Sequence, residues 1–424
     1  MSTTLTRGLS PVRAALDNGA VVLVQQTAIA PAVTINAAFR AGGVYESAGH
    51  PGLAFLTGRL VDRGTERRTA DVIAEELDDL GVALRVTGSR HLLTLSCTCL
   101  AEDFDAVLSV ITDVGRRAVF PEAEIAKRRG ESVTAIRQDD DNPAIRAGDA
   151  MSRLLYGVDH PYGRPAKGTV QDLESFTRAD LVGFYGERFR PATLSLAIVG
   201  DVVPENAIAR ARLELDDWTG GVVPEAAIPP PQTASGRREI RIDMPGKSQA
   251  DIAYGFVAIR RLDPRYYAYW MMNHILGQYG LGGRLGDNIR ERQGMAYYAF
   301  SSFDASVGDG PLMIRAGVDP ANVGRAVDAI DFEVRRMGTE GPTAEEVDDT
   351  RRYLIGSIPR MLETNASIAV FLQTSEQFGL GMDFDQRLPE HLQAVTLEQV
   401  RAAAAGVLNP DQAAIAIAGP PDSR

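Results

Sequence analysis

The chain has 424 residues, enough for two to three domains at roughly 150 residues each, and its 45% hydrophobic and 24% charged residues are a globular balance. Its 44 basic and 56 acidic residues leave a net charge of −12, which argues against nucleic acid or an anionic membrane as a partner. No apolar run reaches the roughly eighteen residues of a membrane span, and the stretch from Met1 to Ala20, with Arg7, Arg13 and Asp17, lacks the apolar core of a secretory signal. A cytoplasmic protein is expected, or a periplasmic one from which a signal has been removed.

In chain order, Asn18-Gly19 reads as a hairpin turn before the strand Val21–Val24, and Val33–Phe39 as a second strand. Alternation in Leu93-Thr94-Leu95-Ser96-Cys97-Thr98-Cys99 puts both cysteines of the chain on the apolar face of a strand. They read as small core residues, not as a disulfide or a metal site. Pro121 to Arg137 is a long helical pattern, and Asp139-Asp140-Asp141 a solvated turn. His160, in Asp159-His160-Pro161-Tyr162-Gly163, belongs to a structural turn. A helix from Asp180, a turn at Pro191 and a buried strand ending at Gly200 close the first half.

That closing unit recurs. Pro191, Ile198 and Gly200 have counterparts in Pro410, Ile417 and Gly419 at one shared offset of 219. The helix from Thr343 to Arg360 repeats the one at 121–137, with Glu124 and Ile136 matched by Glu346 and Ile358 at an offset of 222. The strands at Val33 and Ala250 lie 217 apart. Three patches in one order at nearly one offset indicate a duplication. Gly220-Gly221, Pro224 and Pro229-Pro230-Pro231 mark a linker at 216–236 between halves 1–215 and 237–424. Strands mixed with long helices predict α+β halves, each an antiparallel sheet with helices packed on it.

Self-contained catalysis finds little support. The five histidines (His50, His91, His160, His274 and His391) are at least 41 residues apart, so no helical zinc pair exists, and no Gly-x-Ser-x-Gly elbow is present. The glycine-rich run Gly277, Gly280, Gly282 and Gly283 is followed by Arg284-Leu285 rather than Lys-Ser/Thr, which excludes a P-loop and favours a flexible connector that approaches a partner or peptide backbone closely. After it, Leu285 to Arg292 reads as a helix ended by Gly294, and a strand follows. Arg290 and Tyr297 flank this corner, where a guanidinium fork and a phenol could hold a carbonyl or an oxyanion; a surface Arg and a packing Tyr are the alternative.

Arg284-Leu285, Ile289-Arg290-Glu291 and Gly294-Met295-Ala296-Tyr297 resemble the second-half signature of the M16 (insulinase/pitrilysin-like) metallopeptidases. The opening Leu16-Asp17-Asn18-Gly19, the segment Arg40 to Glu46, and Asp159 to Pro165 resemble further landmarks of that family across nearly the whole chain. The resemblance implies two homologous α+β halves in a clam-like arrangement, facing each other across a chamber. It also implies that Arg290 and Tyr297 bind the scissile carbonyl and stabilise the tetrahedral intermediate. The segment Gly277, Gly280, Gly282 and Gly283 then stands where a related processing peptidase has its glycine-rich loop, implying peptide admission.

The departure is at the metal. After Gly52-Leu53-Ala54 the family places His-x-x-Glu-His, whereas this chain has Phe55-Leu56-Thr57-Gly58-Arg59. Phe55 and Arg59 replace the two imidazoles, Gly58 the general base, and Ala135, 76 beyond Arg59, the third ligand. The implied role is the non-catalytic subunit of a heterodimeric zinc endopeptidase: no cofactor in this chain, zinc and general base in an HxxEH-bearing partner, and extended peptides as substrates. A proteolytically inactive scaffold or peptide-binding subunit is the alternative.

Overall fold

The computed structural model describes residues 8–221, 223–231, 235–278 and 282–421. They form eleven strands: β1 (Val12–Ala15), β2 (Val21–Gln26), β3 (Ala32–Phe39), β4 (Arg85–Gly88), β5 (Leu93–Leu100), β6 (Leu194–Gly200), β7 (Arg238–Asp243), β8 (Ala250–Val257), β9 (Ala296–Phe303), β10 (Pro311–Val318) and β11 (Ala414–Gly419). Two sheets result, in the orders β1-β2-β6-β3-β5-β4 and β7-β11-β8-β10-β9. Leaving out β1, the second order reproduces the first strand for strand, which is the duplication in three dimensions. Each sheet is an antiparallel ladder with one parallel pair, β2 with β6 and β7 with β11.

Alternation sets the core of the first unit. Val33, Ile35, Ala37 and Phe39 on β3 and Leu93, Leu95, Cys97 and Cys99 on β5 point to one face, where they meet Leu56, Leu108 and Ile111 from helices. Both thiols are free and buried, and burial pushes the Cys97 thiol up to about 12 and Cys99 to about 11, as expected of inert core residues.

The compact units do not follow the linear halves. One comprises the chain up to Ile136 with Pro165–Ala227 and Ser357–Leu388; the other comprises Arg137–Arg164, Ile228–Gly356 and Pro389–Arg424. The helix Pro143–Tyr156, from the first half of the chain, packs on β8 and β11 of the second unit. The helix Asn365–Gln377, from the second half, packs on β3 and β6 of the first. Both start on side-chain caps: Asn142 accepts from the Ala144 and Ile145 amides, and Thr364 from the Ser367 amide. Gly255 makes the first docking possible, because a Cβ there would stand 2.3 Å from Met151 Sδ. Gln373 fixes the second by donating to the carbonyls of Asn36 at 2.7 Å and Ser195 at 3.0 Å.

The 216–236 segment carries the join between Ala227 and Ile228. Its carbonyls are used: Arg188 donates to Pro224 O at 3.1 Å within the first unit, and in the second Pro229 O lies 2.9 Å from His160 Nε2. The His160 Nδ1 accepts from the Tyr162 amide at 3.0 Å, so this histidine is a structural clasp.

Candidate functional site

The second unit builds its corner from the bottom up. Arg284 grips Glu346 with two hydrogen bonds of 2.7 Å and donates to Gly341 O at 3.1 Å. Burial alone would raise the Glu346 carboxyl; the Arg284 guanidinium outweighs it and holds Glu346 below its usual value. From this anchor the chain enters a π-helical segment, Gly286–Arg292, whose apolar side is fully buried through Leu285 and Ile289. Asn288 Nδ2 donates to the buried Glu333 carboxylate at 2.7 Å and its Oδ1 accepts from Gln293 at 2.8 Å, while Arg336 closes on Glu333 at 3.0 Å.

The segment stops at Gly294, whose φ of +62° only glycine adopts without strain, and its amide returns to Arg290 O at 3.1 Å. β9 begins directly after, with Met295 and Ala296 in the core. The result is two side chains, Arg290 and Tyr297, turned outward from one helix–glycine–strand corner. The Arg290 side chain is 46% exposed, its nearest ion partner being the sequence neighbour Glu291 at 3.7 Å. Tyr297 is 82% exposed, and β9 is the last strand of its sheet.

The glycine-rich run behaves differently at each position. Gly277 and Gly283 are buried against each other: a Cβ on Gly283 would lie 2.8 Å from Gly277 Cα, and one on Gly277 would lie 2.6 Å from the Ser301 amide on β9. Gly282 is exposed, and Gly280 lies outside the described residues. At Gly277 and Gly283 the close approach is to this chain's own backbone, in the segment itself and on β9, rather than to a peptide or a partner.

In the first unit, the helix Leu53–Gly58 carries Phe55 and Gly58, with Arg59 as its cap. Phe55 packs against the hydrophobic core. A Cβ on Gly58 would meet Leu93 Cδ2 at 2.7 Å, so the site that would hold a general base is filled by core packing. Arg59 reaches Glu131 at 3.0 Å on the helix Glu122–Asp140, and Glu131 also pairs with Arg128 at 2.8 Å. Ala135 stands one turn further along that helix, half-buried. The residues present do not fit a zinc ion: they offer a ring, a bare backbone, a guanidinium and a methyl, and the nearby carboxylate is already taken up by two arginines. Among the described residues no group of three or more His, Cys, Asp or Glu is poised for a metal, and no helix is long and apolar enough to cross a membrane.

Sequence reasoning singled out Arg290 and Tyr297 but not the pairings that hold their segment, Arg284–Glu346 and Asn288–Glu333–Arg336. Their signal is weak, because Glu333 and Glu346 sit on helices about 45 to 60 residues downstream.

Residues 21–158 match the model of the insulinase (peptidase family M16) domain, and residues 175–354 that of the peptidase M16 inactive domain. An uncharacterized zinc protease of Mycobacterium leprae is 26% identical over 98% of this chain and 93% of its own length. Another, of Streptomyces coelicolor, is 26% identical over 82% of this chain and 76% of its own. Among solved structures, a peptidase M16 inactive domain from Pseudomonas fluorescens superimposes with a TM-score of 0.91 at 26% identity, covering 98% of this chain and 99% of that one. A protease from Helicobacter pylori shares the fold, with a TM-score of 0.90 at 15% identity, covering 97% of this chain and 100% of that one.

Proposed function

Because the chain belongs to the M16 (insulinase) peptidase family, we propose that it is the non-catalytic subunit of a two-chain zinc endopeptidase, contributing Arg290 and Tyr297 to a cleft whose zinc and general base come from an HxxEH-bearing partner. One observation carries the reading: the family's metal positions hold Phe55, Gly58, Arg59 and Ala135, while the Arg290/Tyr297 corner is built, anchored and turned to solvent.

In this role the extended peptide adds as a strand at a sheet edge, so its backbone is held and its side chains are read little. The Arg290 guanidinium donates to the scissile carbonyl oxygen, and the Tyr297 hydroxyl supplies a second donor as negative charge develops there. The anchors at Glu346 and Glu333 keep the π-helical segment from moving, which fixes where the charge can be received. Of the glycine-rich run, the exposed Gly282 would face the entering peptide, while Gly277 and Gly283 hold the segment against β9. A cytoplasmic location is consistent with two unpaired, inert cysteines.

The test is co-expression with the neighbouring open reading frame, followed by zinc analysis and a peptide-cleavage assay on each chain and on the mixture. Cleavage by the mixture alone is expected. Arg290→Ala or Tyr297→Phe should lower turnover by roughly 10²–10³ with bound zinc unchanged. Full turnover in both variants would remove the role. The second reading, a proteolytically inactive scaffold or peptide-binding subunit, is favoured if no HxxEH chain co-purifies.

A further inference from the structure

The second sheet has two unlike faces. On one, Leu312, Ile314, Ala316 and Val318 of β10 are fully buried in the core; the other carries Met313, Arg315 and Gly317. The helix Pro143–Tyr156 covers β8 and β11 on this second face, with Gly255 against Met151 and Gly148 against Arg315. Beside the helix the face is open. Phe300, directly opposite Arg315 in the β9–β10 register, is 37% exposed, and Tyr298 and Met313 are half-buried.

β10 is an inner strand, held between β8 and β9, where a charged side chain is ordinarily paired. Arg315 is half-buried there, and no carboxylate lies within ion-pairing distance of it among the described residues. Its Nε donates to Met313 Sδ, a weak acceptor, at 2.9 Å. A Cβ on Gly148 would come within 2.9 Å of its Nη2, so the guanidinium rests against bare helix backbone. The N–H groups of Nη1 and Nη2 make no hydrogen bond among the described residues, and neither nitrogen is sealed from solvent. The neighbouring carboxylates are spent: Asp251 accepts from the Tyr298 hydroxyl and from Gln249 Nε2 at 3.1 Å, and Asp149, next to Gly148, has a partner of its own. A cation that has lost part of its hydration and gained no counter-charge is stabilised most by an anion from outside.

We infer that Arg315 anchors a binding site for the C-terminal residue of a peptide, with the α-carboxylate on the guanidinium and an apolar side chain on Phe300 and Met313. The planar fork of an arginine takes both oxygens of a carboxylate at once. Residues directly opposite in an antiparallel pair hold their Cβ atoms about 4.5–5.5 Å apart, a spacing that the α-carboxylate and side chain of one residue can bridge. An acidic side chain within a peptide brings the charge without the apolar group beside it. The site uses neither Arg290 nor Tyr297.

The experiment titrates the full chain alone, labelled at its methionine methyl groups, with N-acetylphenylalanine, and follows the Met313 signal by NMR after assigning it with Met313→Leu. A saturable shift of that signal is expected. N-acetylphenylalanine amide, which lacks the carboxylate, and N-acetylglutamate amide, which carries it on the side chain, should each bind at least about tenfold more weakly. Arg315→Met should lower affinity by at least about tenfold with no fall in melting temperature, because it removes an unpaired cation. Arg315→Lys, keeping the charge but not the fork, should fall between that variant and the wild type. Should Arg315→Met prove unstable, Phe300→Ala at its exposed position takes its place, with a loss of affinity of about threefold or more expected. Absence of saturation, equal binding of either amide, equal competition by inorganic phosphate, or undiminished affinity in the variant used would each overturn the assignment. Arg290→Ala should bind as the wild type does; loss of binding there would place the ligand at the other arginine and also overturn it. No partner chain takes part, so this result and that of the cleavage assay stand or fall separately.

Discussion

The duplication gives the molecule the same corner twice, and the two copies have been put to different ends. In each unit a helix runs into a glycine with left-handed φ and then into the edge strand of the sheet: Ala70–Asp78, Gly81 at +66° and β4 in the first, and Gly286–Arg292, Gly294 at +62° and β9 in the second. Four residues before the glycine stand Leu77 and Arg290; three after it stand Leu84 and Tyr297. Leu77 is 4% exposed, and Leu84 packs against the first core. The same backbone therefore either closes on its own core or carries an arginine and a tyrosine exposed to solvent. What differs is the side chain at two positions, since both corners are anchored by an arginine ahead of the helix, Arg68 on Glu76 and Asp113 in the first and Arg284 on Glu346 in the second.

The largest expected effect comes from erasing the difference. Giving the second corner the residues of the first, Arg290→Leu with Tyr297→Leu, should lower turnover of the assembled peptidase by roughly 10³ or more while the chain still folds. Peptide cleavage at the wild-type rate would break the comparison. The converse change, Leu77→Ala, should cost about 3 kcal/mol of stability, seen as a lower melting temperature, and leave turnover per folded molecule unaltered.

The glycines sharpen it further. A Cβ at Gly81 or at Gly294 meets nothing within 4 Å, so the penalty of alanine at each is conformational alone, about 1–2 kcal/mol. Matching losses in denaturant midpoint are expected from Gly81→Ala and Gly294→Ala, with turnover reduced only by the second.

The smallest effect lies in acid stability. Each unit holds one histidine whose protonation burial opposes: burial, with Arg90 adding to it, pushes His91 down to about 4, and burial does the same to His274. The unfolded chain takes up these protons from about pH 6.5, the folded chain only near 4. Their contribution is thus complete above about 6.5 and is lost as the pH falls from there towards 4. His91→Gln and His274→Gln should each flatten the decline of melting temperature in that window, and an unchanged slope would show that the histidines do not report on their units.

Much of this was legible beforehand. The offsets from Pro191, Ile198 and Gly200 marked the repeat, and the common strand order is its outcome. Gly294 and the Arg290–Tyr297 spacing located the corner, because a helix stop and a strand start are local properties of the chain. The exchange of Pro143–Tyr156 and Asn365–Gln377 was not legible: periodicity reveals a helix with an apolar stripe but not which sheet receives it. A glycine within the strand pattern, Gly255, was the available hint. The parallel pairs β2/β6 and β7/β11 were hidden for the same reason, since each joins strands at opposite ends of a unit. At the erased metal position, spacing led to Ala135, whereas Arg59 is joined to Glu131, one turn earlier; a long side chain reaches along a helix in a way that residue counting does not capture.

The traded helices also impose an order on synthesis. The first sheet has all its strands once Gly200 has left the ribosome, yet the helix that covers β3 and β6 ends only at Gln377. For the intervening stretch of translation the nascent protein carries a nearly finished sheet with one side bare, and its final closure waits on sequence from the far half of the message. A termination codon anywhere before position 377 would thus damage the amino-terminal lobe, the one already made.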